Sequence, residues 1–169
     1  AALSARDVAA LSGLMTSDFE SLPHPTGSVS DGTTDLAAFR ELLQTANPAF
    51  ESHDLATLGD SLALCRQSRS FDALADGEGI DVGAAHSEAL VVIEVDAREQ
   101  ARRVELFADD HLGAAITRLY ARYAELLPEG PERLRAAGVA RSVVELLGPP
   151  GDWCFAGDAD AVDHRTVGF

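Results

Sequence analysis

Few residues of this 169-residue chain combine a reactive side chain with a position that suits catalysis. His24 lies between two prolines, and a histidine can act as a base or an acid near neutral pH. Asp163 is the second candidate, because it begins Asp-His-Arg, the most polar cluster in an otherwise apolar context. Each also has a plain interpretation, His24 as part of an exposed turn and Asp163 as a solvated carboxylate at a strand end. We treat both as candidates for moving a proton.

The chain shows no spacing typical of a metal site. The two cysteines, Cys65 and Cys154, have no partner at the short intervals that zinc sites use, and none of the five histidines supplies one. The acidic stretch 72–81 lacks the spaced ligands and closing glutamate of a calcium loop. We therefore predict no metal, no cofactor and two reduced cysteines.

The balance of charge restricts the partners. The net charge is −15, and an acidic surface repels both nucleic acid and anionic membranes. No apolar run approaches the about 20 residues that cross a bilayer. The chain begins with Ala1 and has no basic-then-apolar leader. We expect an excerpt of a cytoplasmic protein that binds neither nucleic acid nor membrane.

Helical and strand periodicities alternate along the chain. Apolar residues at helical spacing predict helices over 7–15, from 33–35 to 43, over 109–127 and over 131–147. Alternation and β-branched residues predict a short strand and hairpin within 18–30, and strands over 50–57, 60–69, 86–96 and 101–107. Residues 71–85 are expected to form a long acidic loop.

This order of elements predicts an α+β fold, a curved antiparallel sheet packed by helices and followed by C-terminal helices. A curved sheet closed by helices encloses an apolar cavity, which is where such a domain binds a ligand. We expect the cavity walls to include Leu22, Phe39, Leu43, Cys65, Val91 and Phe107.

A short internal repeat predicts a tandem duplication. Residues 18–24, Asp-Phe-Glu-Ser-Leu-Pro-His, align without a gap on residues 158–164, Asp-Ala-Asp-Ala-Val-Asp-His. The offset of 140 positions is close to one small domain with its linker. We divide the chain into a domain over 1–110, a helical linker over 111–150 and the start of a second copy over 151–169.

The segment 3–18, Leu-Ser-Ala-Arg-Asp-Val-Ala-Ala-Leu-Ser-Gly-Leu-Met-Thr-Ser-Asp, resembles the second-helix signature of the nuclear transport factor 2-like superfamily. That superfamily includes ketosteroid isomerases and SnoaL-like polyketide cyclases. The helix at 34–43 and the strands within 86–107 are similar too. The resemblance implies a cone-shaped, cystatin-like α+β roll whose first helix precedes residue 1. Helix 131–147 then corresponds to the first helix of the second copy, and we hypothesise that it packs into the groove left on the first.

The resemblance also implies that the first copy lacks the catalytic residues of ketosteroid isomerases. The general base of ketosteroid isomerases falls on Pro23, and on Asp163 in the second copy. The protonated Asp of their oxyanion hole falls near Val91, and the Tyr belongs to the missing helix.

Three functions follow from these observations. The leading one is a non-catalytic module of a larger multidomain protein that binds a small hydrophobic molecule or mediates association. The alternative is a SnoaL-like or isomerase-like enzyme acting on a small hydrophobic carbonyl compound, in which His24 or Asp163 moves the proton. The third is a scaffold that forms a homodimer through the sheet face.

Overall fold

The computed structural model describes residues 12–45, 47–72, 74–75, 81–82 and 84–148. Its helices are α1 (Gly32–Gln44), α2 (Leu112–Leu126) and α3 (Pro131–Leu147). Its strands are β1 (Met15–Pro23), β2 (Ser30–Asp31), β3 (Ala49–Leu58), β4 (Leu62–Phe71), β5 (Leu74–Ala75), β6 (Asp81–Val82), β7 (Ala85–Val95) and β8 (Ala101–Ala108). None of these helices is long and apolar enough to span a membrane.

Six strands form one curved, open sheet in the order β2-β1-β8-β7-β4-β3, and β5 pairs with β6 separately. All neighbours in the large sheet are antiparallel except β1 and β8, which run parallel. The register shifts at irregularities in three of the ladders, between β1 and β8, β3 and β4, and β7 and β8. Such bulges bend the strands that carry them. The predicted α+β class with a curved sheet is confirmed.

One face of the sheet packs against α2. Leu62, Leu64, Leu90 and Val92 are buried there, and the helix contributes its own apolar stripe, Ala115 and Leu119. These strand residues all have even numbers, because neighbouring side chains of a strand point to opposite faces. The core of the domain therefore lies between the sheet and α2. The homodimer that we expected through the sheet face stays a prediction.

The helix α1 lies on the other side of the sheet and begins at Asp31. The Asp31 carboxylate accepts a hydrogen bond of 2.9 Å from the Thr34 amide, which satisfies one of the free donors at a helix start. We predicted this helix from the same residues, with the cap placed two to four residues later. Gly32 approaches the Phe19 side chain of β1, so the helix enters close to the sheet.

The last described helix, α3, packs against α2, with Ala140 buried at the contact. Leu134, Val144 and Leu146 remain exposed on it. The hypothesis that this helix fills a groove on the sheet is wrong, because its extensive contacts are with α2.

The start of the chain differs from the expectation. Met15 opens β1 instead of ending a helix, so the turn from helix to strand comes before it. A methionine suits either element, and the pairing of Met15 with Ala101 decides the outcome. Residues 1–11 lie outside the described residues. So do 149–169, which contain Cys154, Asp163 and the proposed start of a second copy, and the tandem duplication stays a prediction.

Candidate functional site

A cavity of about 380 Å³ opens between α1 and the face of the sheet opposite α2. Its walls are apolar for the most part: Leu14, Met15, Phe19, Pro23, Ala38, Phe39, Leu42, Val91, Ile93, Ala101, Val104 and Leu106. Five polar residues complete the lining: Ser21, Ser30, Asp35, Gln67 and Arg69. An apolar pocket with a few polar groups is the usual form of a small-molecule site.

Arg69 of β4 is the cationic residue of the cavity lining. Its Nη2 donates a hydrogen bond of 3.2 Å to Gln67 Oε1, two residues earlier on the same face of the strand. Its guanidinium lies 5.4 Å from the centre of the Phe39 ring, a cation–π contact. Burial lowers the pKa of Arg69, and the negative charge of Asp35 opposes that shift. An arginine nevertheless remains charged at any physiological pH.

Asp35 is the only carboxylate among the cavity-lining residues of the described chain. Its Oδ1 accepts a short hydrogen bond of 2.6 Å from the Ser30 hydroxyl. Asp35 lies in the first turn of α1. The cavity lining therefore holds one acidic residue and one cationic residue, each with a polar neighbour.

Two of the predicted cavity residues, Phe39 and Val91, do line the cavity. Leu22 and Phe107 do not line the cavity. Their sequence neighbours Pro23 and Leu106 do, and adjacent side chains of a strand point to opposite faces of the sheet.

The two remaining predicted wall residues, Leu43 and Cys65, are buried without reaching the cavity surface. The Cys65 thiol donates to the Val91 carbonyl oxygen over 3.6 Å, and burial raises the pKa of that thiol. Cys65 is therefore a core residue and a poor nucleophile.

His24 also lies on the α2 side of the sheet, away from the cavity. Its Nε2 is 2.8 Å from Glu105 Oε2, and its ring stacks on Phe107 with 4.1 Å between the centroids. Pro23 lines the cavity, so the next residue along the strand must point to the opposite face. The imidazole thus belongs to an ion network and does not reach a ligand in the cavity.

Glu105 of β8 is the centre of that network. Its side chain is 2% exposed and accepts hydrogen bonds from Arg118 at 2.9 Å and from Arg103 at 2.8 Å, in addition to the His24 contact. Burial alone would raise the pKa of Glu105, but the bonds from Arg118, His24 and Arg103 outweigh it and lower the pKa to about 2. The network joins α2 to β1 and β8.

No protein-family model matches the chain, and no curated protein matches it either. Among solved structures, one described as a SnoaL-like polyketide cyclase from Shewanella putrefaciens is 15% identical, with 72% of this chain and 79% of that chain covered and a TM-score of 0.48. An epoxide hydrolase of the LEH-like type from Mycobacterium tuberculosis is 14% identical, with 71% and 84% covered and a TM-score of 0.46. A nuclear transport factor 2-like protein of unknown function from an Exiguobacterium species is 8% identical, with 58% and 79% covered and a TM-score of 0.41.

These names agree with the resemblance drawn from residues 3–18 and from the strands. At these identities the likeness extends to the fold alone, so the site is interpreted from the chain's own residues.

The two positions that the resemblance assigns to chemistry both face the cavity. These residues are Pro23, where the resemblance predicts the general base, and Val91, near where it predicts the oxyanion-hole Asp. Neither side chain can hold or move a proton. Among the described residues, no three His, Cys, Asp or Glu side chains are grouped so that they could hold a metal ion.

Arg69, Gln67 and Asp35 were not identified from the sequence as site residues. Residues 66–69 of β4 read Arg-Gln-Ser-Arg, so both faces of this strand end carry polar residues. Strand alternation could have identified Gln67 and Arg69. Leu62 and Leu64 lie in the core on the α2 side, so the odd-numbered residues of β4 face the opposite side, where the cavity lies.

Proposed function

We propose that this domain binds a small, largely apolar molecule in the cavity and does not change it chemically. The observation that carries the proposal is the cavity itself, about 380 Å³ in volume and walled by twelve apolar residues. Pockets of about 300–1,000 Å³ are typical of small-ligand sites. An apolar surface of this kind in a domain of net charge −15 suits a ligand that water solvates poorly.

The absence of a proton-transfer residue at the expected positions supports binding over catalysis. Pro23 and Val91 occupy those positions, and His24 is bound to Glu105 on the other face of the sheet. Burial of a methylene group contributes about 0.8 kcal/mol, so an alkyl chain of about ten carbons contributes roughly 8 kcal/mol, from which the cost of association is subtracted.

Titration of the protein with decan-1-ol by isothermal titration calorimetry tests the proposal. Ala38 and Ala37 are adjacent exposed alanines of α1, and only Ala38 lines the cavity. We expect Ala38→Trp to block decanol binding by filling the cavity mouth, whereas Ala37→Trp binds like the wild type. Circular dichroism of both variants checks that the fold is kept.

The absence of decanol binding to the wild-type protein would contradict the proposal. Equal binding by the two tryptophan variants would also contradict it, because the ligand would then occupy another surface.

A second candidate function is proton transfer on a small hydrophobic carbonyl compound, favoured by the position of Asp35 in an apolar cavity beside Ser30. In this function Asp35, rather than His24, removes the proton. Exchange of the α-hydrogens of cyclohexanone in D₂O, followed by proton NMR, measures it directly. Exchange accelerated by the wild type and lost in Asp35→Asn would favour catalysis, and exchange at the buffer rate would exclude it for this compound.

A further inference from the structure

The arginines on the two faces of the sheet differ in their carboxylate partners. On the α2 side, Arg103, Arg118 and Arg122 each contact two glutamates at 2.7–2.9 Å. Their charges are therefore neutralised locally, as the low dielectric of a half-buried site requires. The arginine of the cavity face, Arg69, has no such arrangement.

Arg69 contacts no carboxylate within 4.0 Å in the described part of the chain. Its hydrogen bond to Gln67 uses one of the five N–H donors of a guanidinium. Phe39 covers one face of the group, which orients the planar fork but satisfies none of its donors. Donors thus remain available at the cavity wall.

Asp35 is near enough to influence Arg69 electrostatically but does not pair with it. The Asp35 carboxylate takes its hydrogen bond from Ser30 instead. The cavity wall therefore contains the Arg69 guanidinium, with N–H donors that no described residue accepts, and the Asp35 carboxylate, which is bound to Ser30. Apolar residues surround both groups.

We propose that the ligand of this cavity carries a carboxylate that pairs with Arg69, while its apolar body packs against Phe19, Val91 and Leu106. This inference rests on the proposed function and adds the chemical class of the ligand. Arginine presents two parallel N–H groups that match the two oxygens of a carboxylate, so a carboxylate satisfies the free donors better than a single hydroxyl or carbonyl oxygen.

Matched titrations with decanoate and decan-1-ol at pH 7.5 separate the head group from the apolar chain. We expect the wild type to bind decanoate at least about tenfold more tightly than decanol, as a charge-assisted hydrogen bond gives. The net charge of −15 repels anions, so this preference has to come from a local group.

Arg69→Met should abolish the preference and keep decanol binding, because methionine retains the apolar stem of the arginine. Arg69→Lys keeps the charge without the fork and should give an intermediate preference. Arg40→Met is the control, since Arg40 is exposed on α1 and does not line the cavity. Asp35→Asn removes a like charge and should raise the decanoate affinity severalfold relative to the decanol affinity.

Equal wild-type affinities for decanoate and decanol would overturn the carboxylate inference and leave the proposed function standing. Wild-type protein that binds neither compound would overturn both. A preference that persists in Arg69→Met, or disappears in Arg40→Met, would overturn the role of Arg69. If Arg69→Met does not fold, as judged by circular dichroism, Arg69→Lys alone decides, and an undiminished preference there would contradict recognition by the guanidinium fork.

Discussion

Replacing Glu105 by glutamine tests the ion network between β8 and α2. The Glu105 side chain is 2% exposed and is held by Arg118, Arg103 and His24. Glutamine has nearly the same shape but no charge, and its amide places an N–H group where a carboxylate oxygen accepted a bond. The variant therefore leaves two arginines facing each other across a half-buried site.

The structure gives the size of the effect. The pKa of Glu105 falls from an ordinary value of 4.5 to about 2, a difference equivalent to roughly 3 kcal/mol of stability at neutral pH. As the pH falls below about 5, the unfolded chain takes up a proton at this residue while the folded chain does not. The contribution is therefore complete at neutral pH and disappears between about pH 5 and pH 2.

Urea denaturation at several pH values between 7 and 2.5 measures this contribution. We expect Glu105→Gln to lower the free energy of unfolding by about 3 kcal/mol at pH 7, with the difference from the wild type shrinking steadily in acid. The control is Glu51→Gln, because the Glu51 side chain is 72% exposed and its change should cost less than about 0.5 kcal/mol. A difference between wild type and Glu105→Gln that stays constant from pH 7 to pH 2.5 would refute the electrostatic explanation.

Two further predictions concern packing. Gly59 has φ of 61°, and a methyl group there would lie 3.0 Å from a tyrosine ring of α2. Gly59→Ala should therefore lower the free energy of unfolding by about 1–3 kcal/mol. Gly138→Ala within α3 should instead raise it by about 0.5–1 kcal/mol, because alanine favours a helix more than glycine does. Thermal and urea denaturation measure both, and equal shifts would contradict the assigned backbone conformations. Leu119→Ala should cost about 2–5 kcal/mol because its side chain is buried in the core, whereas Leu134→Ala should cost under about 0.5 kcal/mol because Leu134 is 74% exposed. A similar loss in the two leucine variants would show that α3 is covered by another surface in solution.

The helices and the strands of the large sheet after Gly32 were predictable from local patterns, whereas the short strands β5 and β6 lie where we expected a loop. The run Leu-Val-Val-Ile at 90–93 lies in β7, and the apolar stripe of α2 and the Pro131 start of α3 were identified within a few residues. The start of the chain was harder, because the residues around Met15 carry an apolar pattern compatible with a helix. Met15 is part of a strand because β1 pairs with β8, which lies more than 80 positions away in the sequence. A local sequence pattern cannot show such a distant pairing.

The site was predictable only in part, since it depends on the face to which each strand residue turns. Phe39 and Val91 were identified correctly, whereas adjacent residues such as Pro23 and His24 point in opposite directions. Strand alternation alone would have separated these two. The importance of Arg69 depends on its making no ion pair with a carboxylate of the described residues, which is a three-dimensional property that no sequence spacing shows.

The parallel pairing of β1 with β8 has a consequence for the order of assembly during synthesis. Met15–Pro23 finds its partner only after residues 101–106 have left the ribosome, whereas β3, β4 and β7 join neighbours that follow at short distances along the chain. Closing so long a loop is entropically costly, so we expect β1 to be among the last strands to dock. Because Phe19, Ser21 and Pro23 form one wall of the cavity, we expect the cavity to be completed only at the end of folding.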